Sequence, residues 1–428
     1  MKKIPLHSLV IVIGPDTDTI STLAKDYTKN TLKRIGFQRY EIISTCDVIH
    51  DMCGDYRRVD LINEAQSNIE NIVSMKLKAG ERVVLIGNYT LKNKRDPFTN
   101  IAKQYDVPIY YIILDENLYN IDSSYGRKQK ENYKTNSRTF TRGDNGLASV
   151  IDINSEEVIA IRKFDGDNAL ECLHNRGFCG ITNIGDAHGE YDLLVESIDW
   201  ARSRGHLFMT TGDFIDYGPN NLKCINTLYE RIMFGTAIST IGNHEKKILK
   251  WLDLYENGID YNDKISLSEG NMVTVNEFLS LSDKEFKIMA SKFRAIINQS
   301  RHHIIFGNKL FVHAAAEPST FNTTAPRLTG RLEVMALYGE IDPVNKKLAN
   351  GYPNRIYEWI NRIPEGKMVI VGHDIRSKTN VSKFVGDAGG TAVFLDTGAG
   401  KGGKLSSADF RINQDGDDIN LINFNMRP

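Results

Sequence analysis

Short apolar runs, separated by stretches with helical spacing, set the plan of this chain. They fall at residues 9–13, 40–44, 81–86 and 108–114, and again at 180–184, 206–210, 237–241, 308–311 and 368–371. Each is too short and too continuous for an amphipathic helix and reads as a strand buried on both faces. Helical patterns lie between them. One covers 61–79. Another covers most of 246–300, where Ser282 as N-cap and Glu285 three residues on mark a fresh helix start. Strands alternating with helices predict an α/β protein whose parallel sheets are flanked by helices. Residues 149–164 alternate enough to predict a hairpin at a domain junction. Residues 391–424 return to strand periodicity with Asp/Gly turns.

Polar residues at the ends of the second set of runs carry the chemistry. They form five segments: Gly185-Asp186-Ala187-His188-Gly189, Gly212-Asp213-Phe214-Ile215-Asp216, Gly242-Asn243-His244-Glu245, Val312-His313-Ala314 and Gly372-His373-Asp374. The carboxyl ends of parallel strands line the crevice where ligands bind. Asp186 and His188, two apart, can be aimed at one cation by a single turn. Asp213 offers two oxygens and can bridge two cations. Asn243, His313 and His373 complete the second. His244, beside Asn243, is placed to protonate a leaving oxygen, and Asp216 to orient it through the other ring nitrogen. A mixed Asp/Asn/His set without Cys suits Mn²⁺ first, then Fe²⁺, Zn²⁺ or Ni²⁺, over all-oxygen Mg²⁺ or Ca²⁺. Two such ions suit in-line attack on phosphorus. Taken singly, each segment is an ordinary Asx-capped turn or a satisfied core histidine. Five in order, at the spacing of strand–helix units, argue for one shared site. The other histidines (His7, His50, His174, His206, His302, His303) lack that context and read as structural.

The segments 185–189, 212–216 and 242–245 resemble the signature of calcineurin-like metallophosphoesterases of the phosphoprotein-phosphatase branch, and the resemblance runs from about Phe178 to the C-terminus. Ala336-Leu337-Tyr338-Gly339-Glu340, Tyr352-Pro353, Gly372-His373, Leu395-Asp396-Thr397-Gly398 and Gly402-Gly403-Lys404-Leu405 resemble the phosphatase module of bacterial polynucleotide kinase-phosphatases. That module removes 3′-phosphates and opens 2′,3′-cyclic phosphates at RNA ends. The resemblance implies an αββα sandwich. It also implies Asp186, His188 and Asp213 as ligands of a first metal, Asp213, Asn243, His313 and His373 as ligands of a second, and His244 as general acid paired with Asp216. Three departures stand out. Tyr217 replaces the Arg that in such proteins grips the substrate phosphate, and offers one neutral hydroxyl in place of a charged fork. Ala314-Ala315-Ala316-Glu317-Pro318 replaces the usual Ala-Gly-Leu, and Gly372-His373-Asp374-Ile375 the commoner Gly-His-Thr-Pro. Arg331, Arg327 or Arg376 are candidates for the missing cation, Arg331 foremost.

The first half has the outline of a phosphate-binding loop but not its chemistry. Gly14-Pro15-Asp16-Thr17-Asp18-Thr19-Ile20-Ser21-Thr22 follows a strand and opens a helical stretch to about residue 35. Thr19 and Ile20 stand where the loop needs Gly and Lys, and two aspartates face where polyphosphate would sit. The layout resembles the kinase domain of the same kinase-phosphatases. A Ser-Xaa-Asp segment survives loosely at Asp47, Ile86-Gly87-Asn88-Tyr89-Thr90 stands where Asp-Ala-Thr-Asn is expected, and the arginine-rich lid thins to Arg127-Lys128-Gln129-Lys130. The expectation is a pseudokinase with no nucleotide site. An atypical nucleotide site and an unrelated α/β domain are the alternatives.

The 428 residues predict two domains. A degenerate kinase-like P-loop domain takes 1–120, a linker 121–176 and a metallophosphoesterase domain 177–428. With 53 basic and 54 acidic side chains the net charge is −1, so no global pull toward nucleic acid exists. A nucleic-acid substrate would be held by its end, or by local basic–aromatic clusters at 125–134 and 138–142. Five cysteines without C-x-x-C spacing, and no apolar run of membrane length, predict a cytoplasmic protein in a reducing compartment. The expected partner is a phosphorylated nucleic-acid end or nucleotide, with a phosphoprotein as alternative. The expected function is two-metal hydrolysis of phosphate esters, foremost 3′-phosphate or 2′,3′-cyclic ends. The alternatives are a Ser/Thr protein phosphatase, a dinucleoside-polyphosphate hydrolase, and a non-catalytic scaffold that binds nucleic-acid ends.

Overall fold

Side by side, the apolar runs pair as strands of three five-stranded sheets in the computed structural model. The described residues are 5–14, 40–55, 58–113, 148–152, 170, 173, 177–323, 325, 327–349 and 353–427. The chain divides into two compact units, one of residues 1–162 with 283–298, the other of 163–282 with 299–428.

In the first unit β1 (Leu9–Ile13), β2 (Tyr40–Ser44), β3 (Arg82–Gly87), β4 (Ile109–Ile113) and β5 (Ala148–Asp152) form one sheet in the order β2-β3-β1-β4-β5. Every pairing in it is parallel. Both faces of β1 are covered, which is why its run is continuously apolar. The helix Ile62–Lys78 buries Ala65, Ile69, Val73 and Leu77, one residue per turn on a single stripe. Ile69, Val73 and Leu77 pack with Leu9, Ile11, Val83 and Leu85, and burying each such side chain contributes about 1.5–3 kcal/mol.

Two sequence expectations change here. Residues 149–152, the described part of the 149–164 stretch read as a hairpin, belong to an edge strand, Ala148–Asp152, running parallel to β4, and 153–164 lie outside the described residues. The helix Asp283–Gln299, contiguous in sequence with the metal-site half, groups through residues 283–298 with the first unit. Ser291 Oγ donates to Leu77 O at 2.7 Å and Asn298 Nδ2 to Ala79 O at 2.7 Å. Gly80, at φ 74°, lets the backbone of Ala295 approach where a Cβ would clash. The phosphate-loop-like residues 15–22, the lid 127–130 and the basic–aromatic clusters lie outside the described residues.

The second unit holds β6 (Gly180–Ile184), β7 (His206–Thr210), β8 (Ala237–Ser239), β9 (His303–Phe306), β10 (Lys309–Val312), a two-residue ladder of β11 (Glu340–Ile341) and β12 (Arg355–Ile356), β13 (Met368–Val371), β14 (Ser382–Val385), β15 (Thr391–Phe394), β16 (Leu405–Ile412) and β17 (Ile419–Arg427). They build two sheets, β17-β16-β6-β7-β8 and β14-β15-β13-β10-β9. Side chains alternate between layers. Phe311, Ile370 and Val393 meet Ile181, Leu207, Met209, Ala408 and Phe410 from the other sheet, while Leu310, Val312, Val369, Val371, Ala392 and Phe394 pack under Met335, Ala336, Trp359 and Ile360. The helices Tyr191–Ser203 and Asn221–Met233 bury Leu194, Ile198, Cys224, Ile225 and Leu228. The result is a sandwich of two sheets with helices outside, the αββα layering expected from the sequence. Within it β6, β7 and β8 are parallel, as are β10, β13 and β15, so six strand ends can supply one site.

Candidate metal centre

Backbone strain marks the site before any side chain is considered. Six non-glycine residues among those described have φ in the left-handed region, and five belong to it: His188 (45°), Asp213 (49°), Asp216 (78°), Tyr217 (65°) and His373 (63°). Such conformations persist only where surrounding contacts over-determine them. Glu245 supplies some of those contacts. Buried completely, it accepts the N–H groups of Asp213 and Gly242 on Oε2 and of Phe214 on Oε1, each at 2.9 Å, tying the turns after β7 and β8 together. Asn221 holds the next turn, accepting the Asp216 N–H at 2.7 Å and donating to Gly218 O at 2.8 Å.

Four polar atoms then converge. His313 Nδ1 faces Thr211 O at 2.8 Å, and because a carbonyl only accepts, the proton sits on Nδ1 and Nε2 keeps a lone pair. That Nε2 lies 3.0 Å from Asn243 Oδ1, 3.0 Å from His373 Nδ1 and 3.3 Å from Asp213 Oδ2. One proton cannot serve this group. A carboxylate, an amide oxygen and two imidazole nitrogens form the donor set of a divalent cation.

A second cluster shares Asp213. His188 Nδ1 donates to Ile215 O at 2.8 Å, leaving its Nε2 lone pair toward Asp213 and His244, and these three offer atoms within 4.8 Å of one another. Asp186 stands beside it. Its Oδ2 accepts the His373 N–H at 2.9 Å, while Oδ1 is buried without a hydrogen-bond partner, a costly state for a carboxylate oxygen that is not bound to a cation. Gly372 has no Cβ because that Cβ would strike Asp186 Oδ1. Two groups that share Asp213 could each hold a cation: His188, Asp213 and His244, with Asp186 nearby, and Asp213, His313 and His373, with Asn243 beside them.

Residues 180–377 match the family of calcineurin-like phosphoesterases. The chain carries a calcineurin-like metallophosphoesterase domain. It is the domain of a metal-dependent phosphoesterase. The chain is similar to the bis(5′-nucleosyl)-tetraphosphatase PrpE (asymmetrical) of Halalkalibacterium halodurans, with 26% identity over 240 residues, covering 53% of this chain and 88% of that protein. The protein of that name from Geobacillus thermodenitrificans is 24% identical over 236 residues, 52% of this chain and 87% of its own length. Among solved structures, a serine/threonine phosphatase from Saccharomyces cerevisiae is 15% identical at a TM-score of 0.32, over 60% of this chain and 83% of its own.

Within the metallophosphoesterase domain, His244 is held by a network that sequence reasoning saw only in part. Its Nδ1 lies 2.5 Å from Asp216 Oδ2, and its Nε2 lies 3.8 Å from Asp213 Oδ2. Asp216, fully buried, also accepts from Asn271 Nδ2 and, at 2.5 Å, from Thr274 Oγ1. Both come from the helix Glu269–Leu279, which the Ser268–Asn271 capping box starts. The sequence signal was that box alone; nothing in it points to Asp216. Glu245 appeared in the sequence only as the last residue of the 242–245 segment, and its role across two turns was not visible.

Charge follows this geometry. Burial pushes the Asp213 carboxyl up, but His313 and His244 outweigh it and hold Asp213 well below the carboxylate range. Burial lowers His244, and Asp213 and Asp216 more than reverse that, so His244 keeps its proton to higher pH than a free imidazole. His188 goes the other way, pushed down to about 3 by burial, with the charges of His244 and Lys401 acting in the same direction.

The phosphate-grip arginines have neighbours of their own. Arg331, 72% exposed, pairs with Glu317 at 2.8 Å and lies 3.8 Å from Glu340. Arg376 stacks on Tyr357 at 4.1 Å and reaches Asp374 at 3.3 Å. Arg327 contributes its charge near His302 and Glu333. Tyr217 lies 5.0 Å from the His188 ring and 5.5 Å from the His244 ring. The histidines read as structural and described at this level have structural partners: His7 with Leu77 O, His206 with Thr182, His302 with the Leu328 N–H and His303 with Thr323 O. No helix among the described residues is long and apolar enough to cross a membrane.

Proposed function

We propose that this protein hydrolyses nucleotide phosphate esters by a two-metal mechanism at the six ligands Asp186, His188, Asp213, Asn243, His313 and His373. The observation that carries it is the convergence of His313 Nε2, His373 Nδ1, Asn243 Oδ1 and Asp213 Oδ2 beside the buried His244–Asp216 pair. Divalent cations held there, manganese foremost, supply an activated water and neutralise phosphoryl charge. The chain's own residues do the rest. His244 gives its proton to the leaving oxygen. Asp216, through Nδ1, fixes the ring's orientation and favours its charged form. Glu245 and Asn221 hold the strained turns that aim the ligands.

Nucleoside polyphosphates are the substrate class we favour, supported by the names of the relatives whose length this domain spans almost completely. RNA 3′-phosphate and 2′,3′-cyclic ends are the second reading, supported by the segments at 336–340 and 395–405 that resemble the kinase-phosphatase module. The first unit we read as a kinase-like fold without phosphoryl transfer, and Cys53, Cys179 and Cys224, which form no disulfide among the described residues, support a cytoplasmic enzyme. A Mn²⁺ panel of diadenosine tetraphosphate, 3′-phosphate RNA, 2′,3′-cyclic RNA, a phosphopeptide and p-nitrophenyl phosphate tests this. Expected are turnover of a nucleotide substrate above the phosphopeptide, loss of turnover in Asp213→Asn and His244→Ala, and no ATP-dependent 5′-phosphorylation. Absence of turnover with any divalent metal would leave a binding scaffold.

A further inference from the structure

Tyr217 stands where such proteins carry the guanidinium that grips a phosphoryl group, and the arginines that sequence offered lie near carboxylates. One cation does face the centre. Lys401 Nζ lies 4.5 Å from the centre of the Tyr217 ring, the same ring that stands edge-on to His188 and tilted against His244. Among the described residues the Lys401 ammonium has no carboxylate partner. Its position is built. β15 ends at Phe394, and the chain enters a short glycine-rich turn in which Gly398 and Gly402 have φ near 75°. Asp396 Oδ1 accepts the Gly398 N–H at 2.8 Å, Gly398 O accepts the N–H groups of Lys401 and Gly403 at 2.9 and 2.8 Å, and Lys378 Nζ donates to Lys401 O at 2.6 Å. Gly400 seats this turn on the metal ligand itself, since a Cβ there would lie 2.5 Å from His188 Cβ and 3.2 Å from Tyr217 Cβ. A turn pinned at both ends and pressed against a ligand presents its one long side chain to the centre.

Resting on the two-metal reading above, we propose that Lys401, carried on the face of Tyr217, is the side-chain cation that holds the substrate's terminal phosphoryl group. The pair divides the work of one arginine. The ring positions the ammonium by cation–π attraction and the ammonium supplies charge to the non-bridging oxygens. A point charge favours a phosphoryl group carrying two negative charges, so Lys401 selects monoesters and the terminal phosphates of nucleoside polyphosphates over singly charged diesters and the inner phosphates of dinucleoside polyphosphates. Lys401 is exposed, which allows its replacement without disturbing the fold.

The test uses the full-length protein loaded with Mn²⁺, in wild-type, Lys401→Met and Lys401→Arg forms. Inorganic phosphate is titrated in by calorimetry, and kcat and KM are measured on p-nitrophenyl phosphate and bis(p-nitrophenyl) phosphate. Loss of one charge-assisted hydrogen bond predicts phosphate affinity down roughly 10- to 100-fold in Lys401→Met. KM for the monoester should rise similarly, with the diester changed less than about threefold, manganese content unchanged and Lys401→Arg restoring most of the loss. Equal phosphate affinity in wild type and Lys401→Met overturns the assignment, as does an equal loss on both esters. Wild-type protein that hydrolyses neither ester defeats the two-metal reading and this assignment together; turnover with an unaltered Lys401→Met defeats only the latter.

Discussion

Asp216→Asn is the sharpest probe of how the acid is positioned. Alanine would be a poor choice: Asp216 sits at φ 78°, where aspartate and asparagine are tolerated and alanine is strained, and truncation would leave three buried donors without an acceptor. Asparagine keeps the shape, and the neighbours decide how it turns. Oδ2 receives two donors, His244 Nδ1 and Asn271 Nδ2, whereas Oδ1 receives only the Thr274 hydroxyl, which can rotate and accept instead. The amide oxygen therefore takes the His244 side and the histidine keeps its orientation. What is lost is charge. A hydrogen bond to a carboxylate is worth about twice one to a neutral oxygen, a difference of roughly 1–1.5 kcal/mol, or about tenfold in rate. The loss should appear where the leaving oxygen needs a proton. On a nucleoside monophosphate, whose leaving group is an alkoxide, kcat should fall about tenfold; on p-nitrophenyl phosphate, whose phenolate departs unprotonated, it should fall less than about twofold. Equal losses on the two esters at equal manganese content would refute the acid role of His244 and with it the orienting role of Asp216.

Thr274→Val removes one hydrogen bond to the buried Asp216 while keeping the side chain's volume, and kcat on the nucleoside monophosphate should drop roughly three- to tenfold with KM unchanged, read in the same assay. Gly372→Ala places a methyl group on Asp186 Oδ1, so manganese affinity by calorimetry should weaken about 10- to 100-fold. His7 in the first unit is fully buried with Nε2 donating to Leu77 O, and burial lowers its pKa from 6.5 to about 4. Above pH 6.5 it is neutral folded or unfolded; between 6.5 and 4 only the unfolded chain takes the proton. Stability should therefore fall as pH drops through that window, by up to roughly 3 kcal/mol, and urea unfolding at pH 7 and 4.5 should show a smaller drop in His7→Gln.

How much of this was legible depended on whether a signal is local. Asp186, Asp213, Asn243, His313 and His373 could be read because each ends an apolar run or its turn, and parallel strands bring such ends together whatever their distance in sequence. Asn271 and Thr274 reach Asp216 from 55 and 58 residues away, on a helix whose pattern reports only its own buried face. The helix Asp283–Gln299 was readable as a helix, but its partner Leu77 is 214 residues from Ser291, and amphipathicity does not name a partner. β9 was missed because His302 and His303 interrupt its apolar run before the Gly307-Asn308 turn. Lys401 escaped for a different reason. Its neighbours are glycines, and the approach of Gly400 to His188 exists only once the strand ends are assembled.

The strained turns connect the fold to the chemistry. Left-handed backbone costs a non-glycine residue roughly 1–2 kcal/mol, less for aspartate, so the five such residues at the site hold several kcal/mol, a sizeable part of the ~5–15 kcal/mol by which a domain is stable. Hydrogen bonds within the turns, such as Gly218 N–H to Asp216 O at 2.8 Å, offset part of that. Glu245 and Asn221 do so from outside, with three and two hydrogen bonds that would be unmade if the turns relaxed. The same turns crowd Asp213 against His313 and leave Asp186 Oδ1 without a partner, arrangements that become favourable when cations share them. On the two-metal reading proposed above, folding and metal binding are coupled through the same residues. The sandwich and its buried glutamate hold the donors in a geometry that is costly without the ions, and binding them returns that cost as affinity.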